Sequence, residues 1–245
     1  MKRRALPFVG LALALACTKP DDRVVRGTAV DHGAALFEDP KASPATVNFV
    51  SCATCHRREP GERPGEILTG GALRGVTTRP RYWGGQDNDL LTSINHCRYF
   101  FMSARDDWTR ADEEARAMYA YLTRLDEKAE PKEKEAQPYA VQNAIIDLPA
   151  GDPNRGLDVY ANACSSCHGA ANSGRGRPSE RAPVLPQESV AAHDYLGSIT
   201  ETRKAFIEKI RHGGFLGYGG TMPPFSQAVL SDADLGALLA FLKLY

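Results

Sequence analysis

The strongest constraint on this chain is a five-residue pattern that occurs twice. It reads Cys52-Ala53-Thr54-Cys55-His56 in the first half and Cys164-Ser165-Ser166-Cys167-His168 in the second. Residues three apart share one face of a helix, so the two thiols of each pattern lie about one helical turn apart. A histidine follows directly. Each half therefore predicts two thiols and an imidazole that converge on one bound group.

This spacing is typical of covalent haem attachment. Two thiols add to the two vinyl groups of one haem, and the adjacent histidine binds the iron. The same cysteine spacing occurs in zinc sites, and paired cysteines also form disulfides. Two matches that both end in histidine favour haem, so the sequence predicts two c-type haems. Their attachment and axial residues are Cys52, Cys55, Cys164, Cys167, His56 and His168.

The composition limits the classes of molecule that this protein is expected to bind. Lys plus Arg and Asp plus Glu each number 30, so the formal net charge is zero. This balance argues against nucleic acid as a partner. The length of 245 residues is enough for two small domains beside an export segment. Two haems predict electron donor and acceptor proteins as partners, such as cytochromes, an oxidase or a reductase.

The N-terminus has the pattern of an export signal. Residues 1–17 join the basic start Lys2-Arg3-Arg4 to an apolar run that is too short to span a bilayer. Leu13-Ala14-Leu15-Ala16-Cys17 resembles a bacterial lipobox, which predicts an acylated Cys17 and a periplasmic lipoprotein held at a membrane. Ordinary cleavage with Cys17 left free is the alternative. Residues 18–30 are polar and predict a tether.

The two halves open and close in the same way. Each begins with a glycine four residues before an aromatic residue, Gly33 before Phe37 and Gly156 before Tyr160, and each ends on an amphipathic helix. We expect the glycine to permit a close helix crossing and the aromatic ring to fill it. Few strand-like alternations appear, so the predicted fold class is all-α.

The repeat divides the chain into two predicted domains, residues 31–126 and residues 151–245. Their plan resembles two tandem class I cytochrome c domains, in which an N-terminal helix, the haem turn, a loop with the distal ligand and a C-terminal helix follow one another. The resemblance implies one haem in each domain. Residues 127–150 are the predicted linker, with a solvated charge-dense run up to Pro138 and an apolar segment that wraps a domain surface.

The sixth ligand of the second haem is the simpler case. The segment Gly219-Gly220-Thr221-Met222-Pro223-Pro224-Phe225 resembles the Met-Pro loop of class I cytochromes c, which implies Met222 as the ligand. A thioether is a soft ligand that favours ferrous iron and raises the reduction potential. Core packing is the other common role of a lone methionine. His212 is the alternative ligand.

The sixth ligand of the first haem has three candidates, Cys97, Met102 and His96. Met102 lies 120 residues before Met222, the same offset that relates the last helices of the two halves, but no proline follows it. His96 lies 116 residues before His212. Cys97 has no partner left for a disulfide, and an unpaired cysteine in an oxidising compartment needs a reason.

A second resemblance favours the cysteine. Leu90-Leu91-Thr92-Ser93-Ile94-Asn95-His96-Cys97, followed by Met102-Ser103, resembles the distal segment of thiosulfate dehydrogenases and related sulfur-oxidation cytochromes. In that family the cysteine of an Ile-Asn-x-Cys motif ligates the active-site haem, which implies Cys97 here. Two-haem members of that family often have a lysine beside the ligand methionine, whereas this chain has Thr221.

A third resemblance is to bacterial dihaem cytochrome c peroxidases. Residues 36–40, the first Cys-x-x-Cys-His pattern and Trp83-Gly84-Gly85 carry it. The second half is too short and too plain a cytochrome domain to favour that enzyme.

Electron transfer in a periplasmic or membrane-associated redox chain is the function that these patterns favour. The alternative is oxidation of thiosulfate or another sulfur anion at a Cys97-ligated first haem, with the second haem as the outlet. Four arginines near the first motif are expected to bind haem propionates or an anionic substrate. They are Arg79, Arg81, Arg98 and Arg105.

Overall fold

The computed structural model describes residues 28–137, 142–216 and 219–245. Within these ranges the chain is helical and contains no β-strand, only an isolated bridge between Tyr82 and Asp87. The predicted all-α fold is therefore confirmed. The predicted export segment, with its lipobox and Cys17, lies outside the described residues. No helix in the described part of the chain has the length and apolar character needed to cross a membrane.

Nine α-helices lie in the described ranges. They are α1 (Ala29–Glu38), α2 (Cys52–Cys55), α3 (Leu90–Met102), α4 (Glu113–Asp126), α5 (Pro153–Val159), α6 (Ser165–His168), α7 (Gln187–Ala192), α8 (Ile199–Leu216) and α9 (Asp232–Phe241). A π-helical turn joins α5 to α6, and 3-10 turns lie at Pro40–Ala42, Val76–Thr78, Trp83–Gly85, Pro131–Lys134 and Asp194–Leu196.

Helix α1 crosses α4 at Gly33. A Cβ atom on Gly33 would lie 2.1 Å from the carbonyl oxygen of Ala117, so no larger residue fits without moving the backbone. Phe37 is buried beside this crossing, and its ring centroid lies 5.7 Å from that of Tyr121. The expected close crossing with an aromatic filler is confirmed in the first half.

Helix α5 crosses α9 in the same way. A Cβ atom on Gly156 would lie 2.0 Å from the carbonyl oxygen of Ala237. The ring centroids of Tyr160 and Phe241 are 5.6 Å apart. Each crossing organises its own apolar core, because the buried residues around Phe37 and those around Tyr160 form separate clusters.

The segment between the two crossings differs in part from the expected linker. Glu133 is buried and makes an ion pair with Arg74, so the expectation of a solvated run is wrong at this position. The reason is that a buried carboxylate needs a charged partner, and Arg74 supplies one. Leu148 is buried in the second core and Ile145 packs against it, as expected, whereas Ile146 is exposed.

Candidate haem-binding sites

Helix α2 carries the first pair of thiols. The helix is a single turn from Cys52 to Cys55, and the backbone N–H of His56 closes it by donating to the carbonyl oxygen of Cys52 at 2.9 Å. Arg63 holds the carbonyl end of this turn, because its Nη2 donates to the carbonyl oxygens of Ala53 (2.7 Å) and His56 (2.9 Å). The two thiols are thereby fixed about one turn apart, as haem attachment requires.

The imidazole of His56 is held in one tautomer. Its Nδ1 lies 2.9 Å from the carbonyl oxygen of Gly71, and a carbonyl oxygen only accepts hydrogen bonds. The proton therefore sits on Nδ1, which leaves the lone pair of Nε2 for a metal. Gly70 lets the loop lie against the ring, since a Cβ atom there would be 2.4 Å from the imidazole.

The second motif repeats this arrangement. Nδ1 of His168 lies 2.8 Å from the carbonyl oxygen of Pro183, which follows the histidine by 15 residues, as Gly71 follows His56. His168 is buried. The hydroxyl of Tyr160 donates to the carbonyl oxygen of the next residue, Gly169, at 2.9 Å, so the α5–α9 crossing is tied to the motif.

The cysteines of both motifs are thiols that could each form a covalent bond to haem. None of the five cysteines in the described ranges forms a disulfide. Burial raises the pKa of Cys52 to about 11 and the pKa values of Cys55 and Cys164 to about 12, so these thiols are neutral near pH 7. Each motif thus offers two unpaired thiols and a free Nε2, the donor set that fits a covalently attached haem.

The two motifs lie near each other. Besides burial, the charge of the Cys167 thiolate form contributes to the raised pKa of Cys55. A backbone hydrogen bond of 2.9 Å from the N–H of Ile67 to the carbonyl oxygen of Asn162 joins the loop after the first motif to the turn before the second. The side chain of Ile67 also packs against the core of the second half.

Met222 lies on a loop that is docked against the end of α8. Its carbonyl oxygen accepts a hydrogen bond of 2.7 Å from the N–H of Gly214. A Cβ atom on Gly213 would be 2.3 Å from the same oxygen, and the φ of Gly213 is +61°, so this junction requires glycine. The side chain of Met222 is half-buried and packs against the second core.

His212, the alternative ligand in this half, is engaged by the protein. Its Nδ1 lies 2.9 Å from a carboxylate oxygen of Glu208, and its Nε2 lies 2.7 Å from the carbonyl oxygen of Gln142. Both ring nitrogens therefore have partners.

Cys97 lies on helix α3, near the first pair of thiols. Burial raises the pKa of Cys97, and Cys52 and Cys55 contribute in the same direction because they lie near it. Ile94, one turn earlier on the same face, packs against the first core, as does Cys52. The structure thus brings Cys97 together with the motif on α2.

The other two candidates on α3 lie in different surroundings. Met102 is 4% exposed and packs in a small separate cluster with Ala42 and Val50. Nδ1 of His96 lies 2.9 Å from a carboxylate oxygen of Asp87, and its ring centroid is 5.5 Å from that of Trp83.

Two of the arginines expected near haem propionates are bound to protein groups. Arg79 donates from Nε to the carbonyl oxygen of Glu133 (2.9 Å) and from Nη2 to that of Ala72 (2.8 Å). Arg98 is buried, donates to the carbonyl oxygen of Asp106, and lies 4.2 Å above the ring of Trp108. Arg81 and Arg105 are exposed.

The hydrogen-bond partners of the two motif histidines cannot be identified from the sequence. The carbonyl groups of Gly71 and Pro183 belong to the backbone, so no residue type marks them as acceptors. The shared separation of 15 residues is a regularity that becomes meaningful only once both hydrogen bonds are seen.

Comparison with known proteins agrees with this geometry for the second half. Residues 151–242 match the family model described as cytochrome C oxidase, cbb3-type, subunit III. No curated protein matches the chain. A solved structure of thiosulfate dehydrogenase from Marichromatium purpuratum, in its "as isolated" form, is similar over 91% of this chain at 18% identity, with a TM-score of 0.41. This chain spans 48% of that chain, about half of its length. Residues 151–242 are therefore a cytochrome c domain in an all-α chain, and a domain of this kind implies a covalently bound haem.

Proposed function

We propose that this protein is an exported two-haem cytochrome c that transfers electrons in a periplasmic or membrane-associated redox chain. One observation carries the proposal: both halves hold a Cys-x-x-Cys-His histidine by Nδ1 on a carbonyl group 15 residues later. Both crossings, at Gly33 and at Gly156, have the same construction. These parallels support two tandem class I domains, residues 31–126 and 151–245, joined by residues 127–150.

The residues of each half have matching tasks. A bound haem iron supplies one-electron oxidation and reduction. Cys52 and Cys55 would attach the first haem, and Cys164 and Cys167 the second. His56 and His168 would each bind iron through Nε2, since Nδ1 is occupied by a carbonyl partner.

We assign Met222 as the sixth ligand of the second haem. The docked loop supports this role, because Gly213 and Gly214 fix the backbone of Met222 against α8 and its side chain packs with the second core. A thioether ligand would make this haem the higher-potential outlet.

The contact between the halves supports internal electron transfer. The Ile67–Asn162 backbone bond links the surroundings of the two motifs, and Cys167 contributes to the raised pKa of Cys55. An electron that enters at the first haem would then leave through the second to a partner cytochrome, oxidase or reductase. Export, acylation at Cys17 and periplasmic location are part of the proposal and rest on residues 1–17.

Potentiometric titration followed in the visible spectrum tests electron transfer. The purified protein should show two one-electron transitions, and both haems should equilibrate rapidly with a soluble carrier cytochrome. A single transition, or no exchange with any carrier, would contradict the proposal.

A second candidate, oxidation of thiosulfate or another sulfur anion, is favoured by Cys97. Cys52 and Cys55 contribute to the raised pKa of this thiol, and Ile94, one turn earlier on the same helix, packs against the first core together with Cys52. A thiolate on iron would lower the potential of the first haem, and the metal would deprotonate the thiol despite the pKa that burial raises.

Low-temperature EPR of the oxidised protein, with Cys97→Ser beside it, tests this candidate. The expected result is a thiolate-type low-spin signal that is absent from the variant, together with rapid reduction of the ferric protein by thiosulfate. Met102→Ala is the matched control from the same helix and should keep the signal. Identical spectra for Cys97→Ser and the unaltered protein would remove Cys97 as a ligand and leave a plain electron carrier.

A further inference from the structure

Each motif histidine has one carbonyl group as its Nδ1 partner, and in each half an arginine donates hydrogen bonds to the loop that carries this carbonyl group. In the second half, Nη1 of Arg177 donates to the carbonyl oxygen of Ala182 at 3.0 Å and to Oε2 of Glu188 at 3.0 Å. The same carboxylate oxygen accepts the N–H of Val184 at 2.8 Å. Ala182 and Val184 are the two neighbours of Pro183, so the Arg177–Glu188 pair fixes the peptide groups on both sides of the histidine's acceptor.

The first half reaches the same result with one arginine. Nη2 of Arg79 donates to the carbonyl oxygens of Ala72 (2.8 Å) and Arg74 (2.9 Å), and its Nε donates to that of Glu133 (2.9 Å). Ala72 directly follows Gly71, the acceptor for His56. The loop after the first motif is therefore pinned one residue from the carbonyl group that orients the imidazole.

Each imidazole has its Nδ1 partner on the loop, the carbonyl oxygen of Gly71 for His56 and that of Pro183 for His168. Neither arginine contacts the imidazole, so any effect on ligand orientation must pass through the loop.

The Arg177–Glu188 pair forms the clamp of the second half, and the backbone around it leaves the held loop little space to move. A Cβ atom on Gly174, whose φ is +63°, would lie 2.6 Å from a methyl group of Val184 and 3.3 Å from Cδ of Arg177. The chain before Arg177 is thus packed closely against the loop that Arg177 holds.

We propose that Arg79 and Arg177 are positioning residues that fix the axial histidines His56 and His168 through the carbonyl-bearing loops. The inference deepens the proposed function and rests on haem being bound at both motifs. A firmly held acceptor keeps the Nδ1 proton in place, and thereby keeps Nε2 aimed at the iron and the basicity of the ligand constant.

Charge and position can be separated in the second half, because the clamp contains one residue of each sign. Arg177→Met removes a positive charge and Glu188→Ala removes a negative one, so a purely electrostatic role shifts the potential of the second haem in opposite directions. A positioning role instead speeds exchange of the Nδ1 proton of His168 in both variants, because each variant loses a hydrogen bond to a neighbour of Pro183. Arg181→Met is the matched control, as this exposed arginine lies in the same loop.

The measurement is solvent exchange of the hyperfine-shifted Nδ1 proton of His168 by NMR on the full holoprotein. We expect about tenfold faster exchange in both Arg177→Met and Glu188→Ala, the effect of losing about one hydrogen bond. His56 and the Arg181→Met control should be unchanged. Arg79→Met, compared with Arg81→Met, should do the same at His56. Unchanged exchange at His168 in either clamp variant overturns the inference.

Intact mass and the number of attached haems are measured first on the same samples. An unaltered protein without haem at Cys164 and Cys167 contradicts the proposed function. A fully loaded clamp variant with unchanged exchange contradicts only the positioning role. The two failures are therefore distinguishable.

Discussion

The two halves agree in how they hold the histidine of each motif and differ in the segments that carry the candidate sixth ligands. Gly33 and Gly156 make equivalent helix crossings, and both motif histidines bond to a carbonyl group at the same separation. The second half has a docked loop with Met222, whereas the first half has helix α3 with Cys97.

This difference separates the features needed to attach a haem from those that would set its reduction potential. Attachment of a haem and orientation of its histidine require the Cys-x-x-Cys-His spacing and a nearby helix crossing, and both halves have these two features. The proposed sixth ligands, Met222 and Cys97, come from more distant parts of the chain, and the identity of a bound ligand would set the potential of the haem. Under the proposed function, the first half would be the lower-potential site although the two halves share the same scaffold.

The largest expected effect tests the shared scaffold. Gly33→Ala and Gly156→Ala each place a methyl group about 2 Å from a backbone oxygen, and each should lower the free energy of unfolding by about 2–3 kcal/mol. Urea unfolding measures this. Gly71→Ala is the control, because nothing lies within 4 Å of its Cβ position. Equal stability for all three variants would break the structural parallel between the halves.

The next effect tests the difference between the candidate sixth ligands of the two halves. Met222→Ala should change the spectrum and lower the potential of the second haem alone, because a soft axial ligand is lost. Met102→Ala should leave both haem spectra unaltered and instead destabilise the protein by about 2–3 kcal/mol, because Met102 is buried among apolar residues. The reverse pattern would make the first half a histidine–methionine site like the second.

The smallest effect concerns the segment between the halves, which pairs one carboxylate with an arginine on each side, Glu133 with Arg74 and Asp147 with Arg203. These hydrogen-bonded arginines are the main cause that lowers the pKa of both carboxyl groups. Their stabilisation is complete above the ordinary carboxyl pKa and is lost as the pH falls through the lowered folded-state pKa.

Glu133→Gln and Asp147→Asn should therefore lower the free energy of unfolding at pH 7 and have less effect at pH 3. Exposed Glu135→Gln is the control. Urea unfolding at the two pH values measures the difference, and an equal effect at both would show that the ion pairs contribute nothing that depends on pH.

Much of the fold could be predicted because it rests on local patterns. The all-α class and both helix crossings follow from glycine and aromatic spacing, and the crossing distances bear this out at Gly33 and Gly156. The buried position of Glu133 could not be predicted, because its partner Arg74 lies 59 residues away and a charge-rich run normally indicates solvent. The roles of Arg79 and Arg177 were hidden for a similar reason, since both act on backbone carbonyl groups.

The most direct test of the central claim is the intact mass of the holoprotein, measured beside two matched double variants, Cys52→Ala/Cys55→Ala and Cys164→Ala/Cys167→Ala. We predict the mass of two haems on the unaltered chain and of one haem on each variant, with His/Met-type spectra kept by the first variant and lost from the second. One haem on the unaltered chain, or two retained after loss of either thiol pair, would contradict it.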